Sequence, residues 1–275
     1  MTTVHGKKYR SKKHPVLEHI FQKYFDTSEM EKNIPFYLSD ISEGYKAVGL
    51  QEPASISNTI LDLCRKNGGV NARVPESISA LGYDLRKRTG PDEHRRNYAG
   101  EFVYVGIGNE LNSWLVWSNS PDEIEIDSKA LPSLVKDLIR NDEAGLFSVI
   151  DYLDVLSQVL GRTLFRIQNP MKWQPNEIDG FYASTTDGEI HVYPVEAKAL
   201  TTKDEINLDQ MEGGFKTVLL KLKEKEHGYK IHVQQVAVRM IRNGIDIAIF
   251  PENLAPVQPE RYVRVLFNPS IENWK

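Results

Sequence analysis

The apolar positions of this 275-residue chain recur first with a helical period and then with mixed periods. Over residues 15–25 (PVLEHIFQKYF), Val16, Leu17, Ile20, Phe21 and Tyr24 are spaced to line one face of a helix. Ser39 or Asp40 can cap a second helix running toward Val48. Ser55 or Ser57 can cap a third, through Ile60, Leu61, Leu63 and Cys64, which stops at Gly68-Gly69. Two strand-like runs follow, residues 101–107 (EFVYVGI) and 114–117 (WLVW), across the turn-rich GNELNS. The next stretch, 118–129 (SNSPDEIEIDSK), is polar, acidic and proline-containing, as domain junctions tend to be.

Beyond that junction, Leu131, Leu134, Val135, Leu138 and Ile139 form one apolar stripe. A second contains Leu146, Phe147, Ile150, Leu153, Leu156 and Leu160, and Gly161 is placed to end it. Residues 163–168 (TLFRIQ), 177–184 (EIDGFYAS) and 190–198 (IHVYPVEAK) read as strands. A charged helix over about 204–226 and two more strands, 229–238 and 245–250, complete the pattern. The order predicts an α/β domain over 130–275, in which a crossover helix sets a later strand parallel to a central mixed sheet flanked by helices. The smaller first domain, 1–120, is α+β; three short helices and a hairpin resemble a winged helix-turn-helix.

One turn turns this pattern into geometry. Asp187-Gly188 is among the strongest two-residue hairpin signals. With these as the turn residues, facing positions sum to 375, so Asp179 opposes Glu196 and Glu177 opposes Lys198. Side chains alternate across a strand, and opposed Cβ atoms lie about 4.5–5.5 Å apart. Three carboxylates and a lysine are then expected at one end of one sheet face. Such a cluster repels itself unless a cation joins it, and hard oxygen donors suit Mg²⁺ (or Mn²⁺). A lysine beside the metal can orient an attacking water, and the pair supplies what phosphodiester hydrolysis needs.

Composition narrows the classes. No apolar run approaches the ~20 residues of a membrane span, and the basic start MTTVHGKKYRSKKH lacks a secretory apolar core, so a cytoplasmic protein is expected. Cys64 is the only cysteine, which excludes an intrachain disulfide and a cysteine-rich zinc site. No two of the seven histidines sit at metal-ligand spacing along the chain, so a histidine-rich site has little support. Gly106 and Gly108 (VGIGNE) have no helix after them and make no dinucleotide loop.

The net charge of −4 is uneven. Residues 1–100 carry 16 Lys/Arg against 12 Asp/Glu, and the remainder 18 against 26. Phosphate contacts need cations and metal sites need carboxylates, so the split fits a nucleic-acid-binding front and a carboxylate-bearing back. Lys7, Lys8, Arg10, Lys12 and Lys13 form an N-terminal basic arm; Arg86, Lys87, Arg88, Arg95 and Arg96 form a basic loop. Both are the expected DNA contacts.

The motif Ile178-Asp179, sixteen residues, then Glu196-Ala197-Lys198 resembles the signature of the PD-(D/E)xK, or restriction-endonuclease-like, nuclease superfamily. The resemblance covers about residues 130–250, and Ile178 stands where the signature has proline. It implies that Asp179 and Glu196 bind the divalent metal with help from the Ala197 carbonyl, and that Lys198 assists the water. It also implies an acidic helper on the preceding helix, for which Glu143 is the candidate and Asp142 and Asp151 are rivals. Gln210 on the following helix is placed to support the site. The expected function is that of a metal-dependent DNA endonuclease of the type II restriction or defence kind, working as a homodimer. The alternative is a DNA-binding protein with a catalytically inactive nuclease-like fold.

Overall fold

The computed structural model describes the chain apart from residues 1, 5, 57, 65–68, 88–97, 112, 169, 174–175, 201–204, 224–227, 272–273 and 275. Two units divide it, residues 1–113 and 114–275. None of the described helices is long and apolar enough to cross a membrane.

The first unit opens with a small antiparallel hairpin, β1 (Thr2–Val4) and β2 (Lys7–Tyr9). The segment read as a basic arm is thus a folded hairpin. Its Tyr9 is buried and donates to Glu18 in α1 (His14–Tyr24). Pro15 sits in the first turn of α1, where its missing N–H costs nothing, and Val16, Leu17, Ile20 and Phe21 face inward as their spacing predicts. After α1 come β3 (Ile34–Tyr37), α2 (Leu38–Ala47), α3 (Asn58–Cys64), two single-turn helices α4 (Val70–Arg73) and α5 (Glu76–Ser79), β4 (Tyr83–Lys87) and β5 (Tyr98–Tyr104). The three strands pair antiparallel in the order β3-β5-β4. The hairpin therefore lies one strand earlier than expected. Residues 114–117 make no strand, only an isolated bridge from Trp114 to Asn207.

In the second unit, the stretch expected to be a junction supplies β6 (Asp122–Asp127), which pairs parallel with the last strand of the chain. Its charged residues are tolerable there because β6 is an edge strand with only Ile126 fully buried. Then follow α6 (Ser133–Leu138), α7 (Glu143–Tyr152) and α8 (Val155–Leu160). The second apolar stripe is two helices rather than one, because Asp154 adopts a left-handed conformation (φ 50°) between them. Gly161 closes α8, also left-handed at φ 66°.

Next come β7 (Phe165–Gln168), β8 (Met171–Trp173), β9 (Asn176–Ile178), β10 (Gly180–Thr186), β11 (Glu189–Lys198), α9 (Leu208–Lys223), β12 (Ile231–Val233), β13 (Val236–Ile241), β14 (Gly244–Ile249) and β15 (Arg261–Asn268). One mixed sheet runs β6-β15-β14-β13-β11-β10-β7, with β12 beside the first half of β11. As expected, α9 returns the chain so that β12 and β13 lie parallel to β11. Tyr193, Val195 and Ala197 of β11 join one core with Phe147 and Leu156 from α7 and α8. Val192, on the other face, packs with Phe215 and Val218 of α9. Helices thus cover both faces of a strand that is hydrogen-bonded on both sides.

Candidate active site

The turn arithmetic describes the hairpin as it folds. Asp187 (φ 53°) and Gly188 (φ 78°) are both left-handed, as a tight hairpin turn requires. Facing residues from Thr186↔Glu189 to Gly180↔Val195 sum to 375. Beyond Gly180 the ladder stops. A Cβ at Gly180 would lie 2.4 Å from the Phe147 ring, so glycine lets α7 press against this point while the chain bends at Asp179. Glu177 therefore does not oppose Lys198. It pairs with Lys172 in the separate β8-β9 hairpin, with Lys172 Nζ 3.8 Å from its carboxylate.

Asp179 likewise lies outside the ladder rather than paired with Glu196, but the bend still delivers it to the end of β11. Its Oδ2 accepts the Ala197 N–H at 2.8 Å. Glu196 is buried, and its Oε1 accepts from Lys198 Nζ at 3.2 Å and from Gln210 Nε2 at 2.9 Å. Gln210 is held in the first turn of α9, where Asn207 Oδ1 accepts the Asp209 and Gln210 backbone N–H groups. From the opposite face, Glu143 at the start of α7 reaches the Ala199 N–H at 3.4 Å. Five of the expected residues, Asp179, Glu196, Lys198, Gln210 and Glu143, thus meet around the last residues of β11. Two helix N-termini, with their partial positive charge, begin beside them.

The rivals of Glu143 are engaged elsewhere. Asp142 caps α7 by accepting the Gly145 N–H at 2.9 Å and pairs with Arg140. Asp151 pairs with Arg166 and accepts from Tyr182 Oη at 2.8 Å. Glu177 lines a small cleft with Glu196, Gln210 and Gln235. Burial pushes the Asp179 carboxyl above its ordinary value, and the charges of Glu143 and Glu177 add to this, against the Ala197 N–H and Lys198. A carboxylate held at this disadvantage favours a cation, and carboxylates with the Ala197 carbonyl are the hard oxygen donors that Mg²⁺ takes.

Pattern reading missed a charged row beside the site. In register across the sheet run Lys198, Arg239, Asp246, Arg264 and Glu123. Buried Asp246 binds both arginines, Arg239 Nη2 at 2.7 Å and Arg264 Nε at 2.7 Å. The alternation of Val263, Val265 and Phe267 in β15 could have found this strand; the register that aligns the row depends on the crossover.

The expected phosphate contacts divide. Lys7 is paired with Glu18, Lys13 with Asp62 and Arg86 with Glu101. Lys8, Arg10 and Lys12 are exposed, and Lys87 is half-buried in β4. Arg88, Arg95 and Arg96 lie outside the described residues.

Among the described residues, one group of three metal-ligating side chains has all its ligand atoms within 4.8 Å of one another: Glu189, His191 and His232. Sequence spacing gave no sign of it, because the histidines are brought together by strand pairing rather than along one element. The chain matches no protein-family model, no curated protein and no solved structure.

Proposed function

We propose that the chain is a divalent-metal-dependent DNA endonuclease whose active site is the C-terminal end of β11. The observation that carries this reading is the meeting of Asp179, Glu196, Lys198 and Gln210 at one strand end. Asp179, Glu196 and the Ala197 carbonyl would hold Mg²⁺, or Mn²⁺, with Glu143 beside them. When bound, the ion supplies positive charge at the phosphate and lowers the pKa of a water.

The protein's own groups divide the remaining work. The Lys198 ammonium lies beside Glu196 and supplies a donor and a positive charge next to the scissile phosphate. Gln210 fixes the Glu196 carboxylate. Arg239 and Arg264, partly exposed on the same face and held by Asp246, would meet the flanking phosphates. The order helix, strand, helices, two strands, with sheet order β3-β5-β4, supports reading the first unit as a winged-helix DNA-recognition module. The helix, antiparallel strands, helix and parallel strand of the second unit support the restriction-endonuclease-like reading. A homodimer would present one site to each DNA strand.

A second reading has one observation in its favour. Among the described residues, the carboxylates at the end of β11 form no group of three with ligand atoms within 4.8 Å of one another, and a DNA-binding protein with a catalytically inactive nuclease-like fold needs none. Supercoiled plasmid with Mg²⁺ separates the two. The native chain is expected to nick or linearise it, and Lys198→Ala and Asp179→Ala to lose about 10²–10⁴-fold in rate. Equal cleavage by all three proteins would sink the site. DNA binding without cleavage by the native chain would establish the second reading.

A further inference from the structure

We propose that Glu189, His191 and His232 form a separate metal site selective for Zn²⁺ over Mg²⁺, with Glu252 orienting both imidazoles. Parallel pairing of β11 and β12 sets His191 directly beside His232. Their rings stack at 4.5 Å between centroids and 14° between planes. Glu252 meets both rings on one side, with Oε1 3.0 Å from His191 Nδ1 and Oε2 3.2 Å from His232 Nδ1. One carboxylate facing two Nδ1 atoms favours the Nδ1–H tautomer of each ring, which turns the Nε2 lone pairs outward as ligands. In the metal-free chain His232 Nε2 donates to Glu189 Oε2 at 2.8 Å; an ion that replaces this proton finds Glu189 already in place as the third ligand.

The frame around the site is rigid. Val233 N–H donates to Asn253 Oδ1 at 2.8 Å and Asn253 N–H to the Val233 carbonyl at 2.7 Å, which ties the Glu252 turn to β12. Asn253 Nδ2, an amide donor, is 3.4 Å from His232 Nδ1, farther than the Glu252 carboxylate at 3.2 Å that accepts from it. Glu189 is the adjustable member: it is partly exposed and also paired with Lys230 at 2.8 Å. Zinc bonds of about 2.0–2.2 Å place tetrahedral ligands roughly 3.3 Å apart, so a group whose ligand atoms lie within 4.8 Å of one another closes on an ion by a swing of Glu189 and a tilt of the two rings out of their stack. Two imidazoles and one carboxylate, with a fourth position for water, suit zinc; Mg²⁺ prefers an all-oxygen octahedron.

This group is independent of the proposed active site. Glu189 and His191 share the sheet face of Tyr193 and Ala197, whereas Glu196 and Lys198 lie on the other. Five residues of strand, roughly 16 Å, separate His191 from Glu196. An ion here would tie β11, β12 and the turn after β14 into one unit.

The full chain, stripped with EDTA, is titrated by calorimetry with Zn²⁺ and separately with Mg²⁺, and loaded with Co²⁺ for its visible spectrum. Expected are one Zn²⁺ per chain at this site, a tetrahedral cobalt spectrum and a raised Tm. Glu189→Gln and His232→Asn should each weaken Zn²⁺ binding at least tenfold, and Glu252→Gln by about 10–100-fold. Asp179→Asn should leave Zn²⁺ affinity unchanged. Glu189→Gln guards against misfolding because its side chain is partly exposed; its Tm in EDTA should match the native chain's. The proposal is overturned if the native chain takes up no Zn²⁺, or if Glu189→Gln and His232→Asn bind it with native affinity.

Discussion

Asp179 sits where folding and the proposed chemistry pull in opposite directions. Burial raises its pKa, helped by Glu143 and Glu177. The folded chain therefore holds this proton more tightly than the unfolded one. Without a cation, stability falls as pH rises from the ordinary aspartate value through the raised one. Asp179→Asn removes that loss while an amide oxygen can still accept the Ala197 N–H. In EDTA at pH 8 the variant is expected to melt above the native chain, at ~2–4 °C per kcal/mol recovered. Below the ordinary aspartate pKa the two should coincide, and Mg²⁺ should raise the Tm of the native chain alone. Gln210 acts one step further out, through Glu196. Gln210→Ala should cut the cleavage rate by about 10–100-fold and weaken apparent Mg²⁺ affinity, seen in a metal titration of plasmid nicking.

At the scale of elements, Gly180 joins packing to the site. Its missing Cβ makes room for Phe147, and the next residue back is Asp179. Gly180→Ala should cost ~1–3 kcal/mol in urea unfolding and also lower cleavage, because the strand end must shift. The hairpin itself was legible in the sequence, since Asp187-Gly188 fixes turn and register locally. So were Glu196 and Lys198 on one face, and Gln210 one helix later. The divergence of β9 was not legible: nothing in Glu177-Ile178 announces it, and it turns on an aromatic ring 33 residues earlier packing against Gly180. The break between α7 and α8 was hidden because the apolar stripe continues through Asp154. The His191–His232 pair was invisible for a third reason: strand neighbours joined by a crossover have no fixed spacing in sequence.

For the whole molecule, the uneven charge has a measurable consequence. Lys8, Arg10 and Lys12 are exposed in the first unit, whereas Lys7 and Lys13 are held by acids. Replacing the three exposed residues with alanine should weaken DNA binding evenly across sequences. It should also flatten the log K against log salt slope by about 2–3, measured by fluorescence anisotropy. The second unit carries its proposed chemistry on β11, which is covered by helices on both faces and bonded along both edges as far as Val195, beyond which β13 alone pairs with it. Amides in such a strand exchange their hydrogens only when the whole unit opens. The strand that leads into the proposed site is therefore as slow to fluctuate as the core, whereas Glu196 to Lys198 are held by β13 on one edge and by the Asp179 carboxylate on the other. Adaptation to a different substrate then falls to the last residues of β11 and to the surrounding loops and helix ends, because the strand up to Val195 cannot move without unfolding the unit.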